Sequence, residues 1–186
     1  MPPYAVVLDA CVLVPITVAD TLLRIAERGL FRPIWSDRIV AEAIDAIRAV
    51  HADVPADAIR RRFASMNETF EDARVTGWED LELGVELPDA DDRHVVAVAL
   101  RGRADAIVTA NFRDYPVGAV GPLGIAVTNP DDFLLDQLDL APGIVLDVLR
   151  EQAAHTRNPP LRPGDLIARL SRAGVSRFAA EAGRLL

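Results

Sequence analysis

The sequence predicts an α/β fold: a three-layer α/β/α domain around a central parallel sheet, followed by an all-helical C-terminal extension. Three observations carry this expectation. Short β-branched runs alternate with helical stretches, as in βαβ units. The first run, Tyr4 to Val14 (YAVVLDACVLV), is apolar almost throughout, as befits a strand buried on both faces of a parallel sheet. After Asn129 only helical patterning remains, so we expect a first domain over 1–129 and an extension over 130–186.

Taken in order, the first strand is interrupted at Asp9 and leads to a helix over Thr17 to Arg28, stopped by Gly29. Phe31 to Trp35 reads as a short second strand. Ser36 or Asp37 can then cap a helix reaching Val50, whose apolar stripe is Ile39, Ala43, Ala46, Ile47 and Val50. Ala56 to Phe70 is a further helix with Pro55 at its start. A short strand is expected over Asp72 to Thr76, a helix from Asp91 or Asp92 to Arg101, and strands over Ala106 to Thr109 and Gly124 to Thr128. The extension should break at Pro142-Gly143, at Asn158-Pro159-Pro160 and at Pro163-Gly164.

Composition narrows the chemistry. The 186 residues carry a net charge of −8, which repels polyanions at long range and argues against generic nucleic-acid coating. All 20 basic residues are arginine. Without lysine there is no P-loop lysine and no Schiff base, whereas guanidinium groups suit phosphate recognition. The one cysteine, Cys11, excludes an internal disulfide framework and fits a reducing cytoplasm. It sits in the expected first strand as a core residue rather than a nucleophile. No apolar run reaches a membrane span, and MPPYAVVLDA lacks the pattern of a signal peptide.

Four groups of acidic or oxygen-bearing residues stand out. Asp9 places a carboxylate in a buried strand, an arrangement that needs a partner, a cation or a helix N–H to cap. Glu42 lies on the shoulder of its helix stripe. Asp89, Asp91 and Asp92 crowd three acids before one helix; Asp89 or Asp91 suffices for the cap and Asp92 is surplus. Thr109, Asn111 and Asp114 follow a strand, where a hydroxyl can orient a neighbouring carboxylate. An all-oxygen set of this kind suits Mg²⁺ or Mn²⁺. His51, His94 and His155 lack zinc-ligand spacing, although His94 follows Asp92 closely enough to be a candidate for substrate contact.

The segments VVLDACVLV, SDRIVAEAIDAI, PDADDRHVVAVAL and IVTANFRDYP occur in this order, and with them the chain resembles the PIN-domain nucleases, in particular the VapC-type toxins of bacterial toxin–antitoxin pairs. The resemblance covers Tyr4 to Thr128, and the helical C-terminal region resembles an extension found in some of these toxins. It implies Mg²⁺- or Mn²⁺-dependent cleavage of RNA phosphodiesters, with Asp9, Glu42 and Asp92 as metal-holding acids. The fourth acidic position falls on Asn111 or Asp114, which leaves one or two metals open. Thr109 would support the acids, while Arg93, Arg113 and the run Arg60, Arg61 and Arg62 are candidates for substrate grip. The resemblance further implies a VapB-type antitoxin partner and allows a homodimer. The apolar residues of the early helices (Leu22, Leu23, Ile25, Phe63) look more numerous than one core needs. A catalytically degenerate PIN-like binding module and a small-molecule phosphohydrolase are the competing readings.

Overall fold

The computed structural model describes residues 4–156 and 161–186. Four parallel strands, β1 (Ala5–Leu8), β2 (Arg32–Ile34), β3 (Ala106–Val108) and β4 (Ala126–Thr128), lie in the order β2-β1-β3-β4. Val7 pairs with Ile34 on one side and Ile107 on the other, and Ile107 continues to Val127. Val6, Val7 and Leu8 are fully buried, the signature of a strand covered on both faces.

β1 is shorter than expected. It ends at Leu8 because the Asp9 carboxylate accepts the Ala10 N–H at 2.7 Å and starts a helical turn, α1 (Ala10–Leu13). Cys11 is therefore helical rather than in a strand. An apolar run without periodicity fits either state, and here the capped N–H decides.

Ser36 caps α3 (Asp37–Val50) by accepting the Ile39 N–H at 3.2 Å, and α4 (Ala56–Thr69) starts just after Pro55; α2 (Ile16–Glu27) precedes both in the chain. The strand expected over Asp72 to Thr76 does not form; a single bridge joins Arg74 to Trp35 instead. Pro33, inside β2, brings no N–H to a further ladder and belongs at an edge. A short helix, α5 (Glu79–Glu82), precedes the acidic turn. α6 (Arg93–Gly102) then presents Val95, Val96, Ala97, Val98 and Ala99 to the core, all fully buried. Its last residue lies so close to the sheet edge that a Cβ on Gly102 would meet Ile34 Cδ1 at 3.0 Å and Val75 Cγ2 at 3.1 Å. Beyond β3 come a 3₁₀ turn (Phe112–Asp114), α7 (Val117–Val120) and a second 3₁₀ turn (Gly121–Leu123).

The C-terminal residues form α8 (Pro130–Leu140), α9 (Pro142–His155), α10 (Pro163–Arg172) and α11 (Ser176–Leu185). The breaks at Pro142 and Pro163 fall where proline at a helix start permits them. The break expected at Asn158-Pro159-Pro160 lies outside the described residues. A further break follows Gly174, whose φ of 96° is the left-handed conformation that favours glycine. The Asp131 carboxylate reaches from α8 to the N–H groups of Arg177 (3.1 Å) and Phe178 (2.8 Å), capping α11 from another helix.

Two compact units result, and they do not follow chain order: residues 1–14 with 32–128, and residues 15–31 with 129–186. In the second unit Thr21 of α2 donates to Gln152 Oε1 at 2.7 Å, and Arg28 pairs with Glu151 at 2.5 Å. Leu22 and Ile25 are fully buried there, as Phe63 is in the first unit. Most of the apolar surplus of the early helices is thus taken up by two cores, while Leu23 stays half-buried. Among the described residues no helix is long and apolar enough to cross a membrane.

Candidate active site at the carboxyl ends of β1 and β3

The chain runs from central β1 to β2 on one side and later returns to β3 on the other. Such a reversal opens a crevice beyond the carboxyl ends of the two central strands, where open α/β sheets bind ligands. Asp9 leaves β1 at this point and Thr109 leaves β3. Asp9 is 5% exposed. Its Oδ1 caps α1, while Oδ2 accepts from the Thr109 hydroxyl at 2.6 Å and from the Cys11 thiol at 3.2 Å. Thr109 Oγ1 in turn accepts the Asn111 N–H at 3.0 Å, and Cys11 Sγ accepts the Ala110 N–H at 3.3 Å. Burial, then the Asp9 charge, pushes the Cys11 thiol up to about 11. It remains a protonated donor rather than a nucleophile.

Asp92 stands at the first boundary of α6 without capping it, its backbone already helical. Asp89 accepts the Asp91 N–H at 2.9 Å in the turn before it. That bond falls outside α6, which starts with no side-chain cap, so the cap expected from Asp89 or Asp91 does not form. Burial, then the charges of Asp9, Asp114 and Asp89, pushes the Asp92 carboxyl up to about 6. The structure thus brings Asp9, Asp92 and Asp114 into one electrostatic neighbourhood. Tyr115 joins them: its buried hydroxyl lies 3.4 Å from Asp92 Oδ1. Burial and the charges of Asp9 and Asp92 hold this phenol far above its usual range, so it keeps its proton. Sequence reasoning missed Tyr115, because an aromatic closing a short 3₁₀ turn carries no periodic signal.

Glu42 has other partners. Its Oε1 meets Arg38 Nε and His94 Nε2, each at 3.1 Å. Burial acts to raise this carboxyl, but the hydrogen bonds from His94 and Arg38 and the positive charge beside them outweigh it, holding the group below its ordinary value. His94 is 1% exposed, so it cannot touch substrate directly as its position beside Asp92 suggested. Among the described residues no three His, Cys, Asp or Glu side chains converge closely enough to enclose an ion.

Asn111 and Arg113 are exposed and Asp114 is half-buried. Arg93 is half-buried, and its Nε is buried without a hydrogen-bond partner. In the arginine run, Arg60 pairs with Asp57, Arg61 is exposed, and Arg62 donates to the Leu13 carbonyl at 2.8 Å while lying over the Phe63 ring. Arg62 thereby ties α4 to the end of α1.

Comparison with known proteins adds a decisive observation: the family model described as PIN domain matches residues 5–113. The chain belongs to the PIN domain family. A second model, described as VapC50 C-terminal domain, matches residues 130–184 and covers the C-terminal helices of this PIN protein. A Mycobacterium tuberculosis (strain ATCC 25618 / H37Rv) protein, "Putative ribonuclease VapC50", is 44% identical to it over 94 residues, 50% of this chain. The matched stretch spans 55% of that relative's length, little more than half. A search of solved structures gave no match. The parallel sheet and the acids beyond β1 and β3 are this PIN domain's candidate active site.

Proposed function

We propose that the chain is a Mg²⁺- or Mn²⁺-dependent endoribonuclease and the toxin of a VapBC-type toxin–antitoxin pair. One observation supports this reading above the others. Asp92, with its carboxyl pushed up to about 6 by burial and by Asp9 and Asp114, marks a crowding of acids at the sheet's switch point. Such a crowding suits a hard dication. Mg²⁺ keeps several waters and takes only one or two carboxylates, so it needs no closed shell of protein ligands. Asp9 and Asp92 would hold it, with Glu42, Asn111 and Asp114 as the further oxygen donors.

When bound, the cation supplies an activated water and neutralises charge on the scissile phosphodiester. The protein's own groups do the rest. Thr109 and Cys11 fix the Asp9 carboxylate by donating to Oδ2, and Tyr115 steadies Asp92. Arg93 and Arg113 follow Asp92 and Asn111 in the chain and serve the RNA phosphates. Arg61 extends that grip, while Arg60 and Arg62 share their charge with Asp57 and the Leu13 carbonyl. The nuclease domain is residues 1–14 with 32–128, and residues 129–186 together with 15–31 form its helical extension. The partner is a VapB-type antitoxin, the setting is the cytoplasm, and a homodimer is compatible with both.

The test is direct. Purified Asp92→Asn and Asp9→Asn proteins should fold and fail to cleave RNA, and wild-type cleavage by Asp92→Asn would end the reading. A second reading, a binding module that does not cut, draws support from the uncharged Asn111 and from the open arrangement of acids. Calorimetric titration with Mn²⁺ separates the two: binding in the micromolar to millimolar range favours the nuclease, and none favours the module.

A further inference from the structure

His94 is an unusual core residue. It follows Asp92 by two positions on α6, is 1% exposed, and lies against Trp78 with ring centroids 5.8 Å apart. Its Nε2 meets Glu42 Oε1 at 3.1 Å, while its Nδ1 is buried with no hydrogen-bond partner. Since a carboxylate offers no hydrogen, Nε2 must carry one. A hydrogen on Nδ1 would lack an acceptor, so the whole polar capacity of the ring is directed at Glu42.

Arg38 converges on the same atom. Its Nε meets Glu42 Oε1 at 3.1 Å, its Nη1 donates to Glu82 Oε1 at 3.0 Å, and its Nη2 approaches the Asp91 carbonyl at 3.3 Å. One guanidinium thus links α3, α5 and the turn that delivers Asp92. Both donors take Oε1. Among the described residues Oε2 has no donor. A carboxylate gripped from two sides through one oxygen loses its torsional freedom and presents the other in a set direction, the way outer partners orient metal-ligating groups.

We infer that His94 and Arg38 are positioning residues that pin Glu42 through Oε1 and leave Oε2 for a hard cation or its water shell. The inference rests on the proposed nuclease site and adds to it two residues that touch neither substrate nor cation. It also accounts for a buried histidine bonded on one side only.

The test has two arms. In the first, ¹⁵N shifts of the His94 ring are recorded on the metal-free protein and on Glu42→Ala. A ring protonated at Nε2 and bare at Nδ1, whose Nε2 signal moves in Glu42→Ala, supports the pinning. Protonation at Nδ1 alone, or no change in the variant, overturns it. In the second, Mn²⁺ affinity is measured by calorimetry alongside metal-free melting. His94→Leu should weaken Mn²⁺ binding about 10-fold or more, and His94→Gln, which retains a side-chain N–H, should recover most of it. Arg38→Met, on a partly exposed helix face, tests the same grip should His94→Leu not fold. Wild-type Mn²⁺ affinity in folded His94→Leu overturns the inference. If the wild-type protein binds no Mn²⁺ at all, the nuclease reading fails, while the ring shifts still decide whether Glu42 is pinned.

Discussion

Replacing Asp92 by asparagine should strengthen the fold while abolishing the activity. The Asp92 carboxyl is pushed from 3.8 up to about 6, so near neutral pH it is ionised in a place that disfavours its charge. Two pKa units at about 1.36 kcal/mol each set a ceiling of about 3 kcal/mol on the penalty. The group is only half-buried, and solvent screening reduces this to about 1 kcal/mol. Asparagine keeps the shape and can still accept from Tyr115 without the charge. For a chain of this length that gain is about 2–4 °C in Tm. The pH dependence has a definite sign. Because the folded-state pKa is raised, the Asp92 contribution to stability is fully present below about pH 4 and is lost as pH climbs through 6. The two proteins should therefore melt together near pH 4 and diverge by pH 7.5, with the variant higher. Circular-dichroism melts in chelator across this range measure the gap. Adding Mg²⁺ should reverse the order, since a cation at 100 times its Kd stabilises the wild-type protein by about 2.7 kcal/mol. A variant no more stable than wild type at pH 7.5, with a gap that ignores pH, would refute the crowding of acids on which the site depends.

Three other substitutions probe the supports. Thr109→Val removes the 2.6 Å donor to Asp9 Oδ2 in a buried setting and should destabilise by about 1–3 kcal/mol, read by urea unfolding, with a matching fall in RNA cleavage. Asp131→Ala strips α11 of its cap and should cost about 1–2 kcal/mol without altering cleavage, since it lies in the helical unit. Gly102→Ala places a methyl group against buried Ile34 and against Val75; the resulting strain of about 1–3 kcal/mol should exceed the ~1 kcal/mol helix-propensity gain and lower the denaturation midpoint. An unchanged midpoint would mean that the close approach of α6 to β2 is relaxed in solution.

Much of this architecture is written locally. The stripe Ile39, Ala43, Ile47, the hydroxyl of Ser36 and the stop at Gly29 each act within a few residues, so α2 and α3 end within a residue or so of where the pattern places them. The same holds for β2 and for the prolines that open α9 and α10. The misreadings share a cause. YAVVLDACVLV has no period that separates strand from helix, and the bond from Ala10 N–H to Asp9 settles the matter. Asp72 to Thr76 has the composition of a strand, but the edge it meets contains Pro33 and supports only one bridge.

The candidate site divides the same way. By itself the sequence determines which carboxylates exist and that they fall near strand ends, because caps and periodicities are short-range bonds. Only the tertiary structure decides that Asp9, Asp92 and Asp114 share one field, that Tyr115 enters it, and that Glu42 is gripped by His94 and Arg38. It also decides that α2 packs with helices that begin more than a hundred residues later. These outcomes depend on the order β2-β1-β3-β4, which places the ends of two strands side by side although about a hundred residues separate them. Strand order is set by burial of the whole sheet, a sum over many distant contacts that no short stretch of residues encodes.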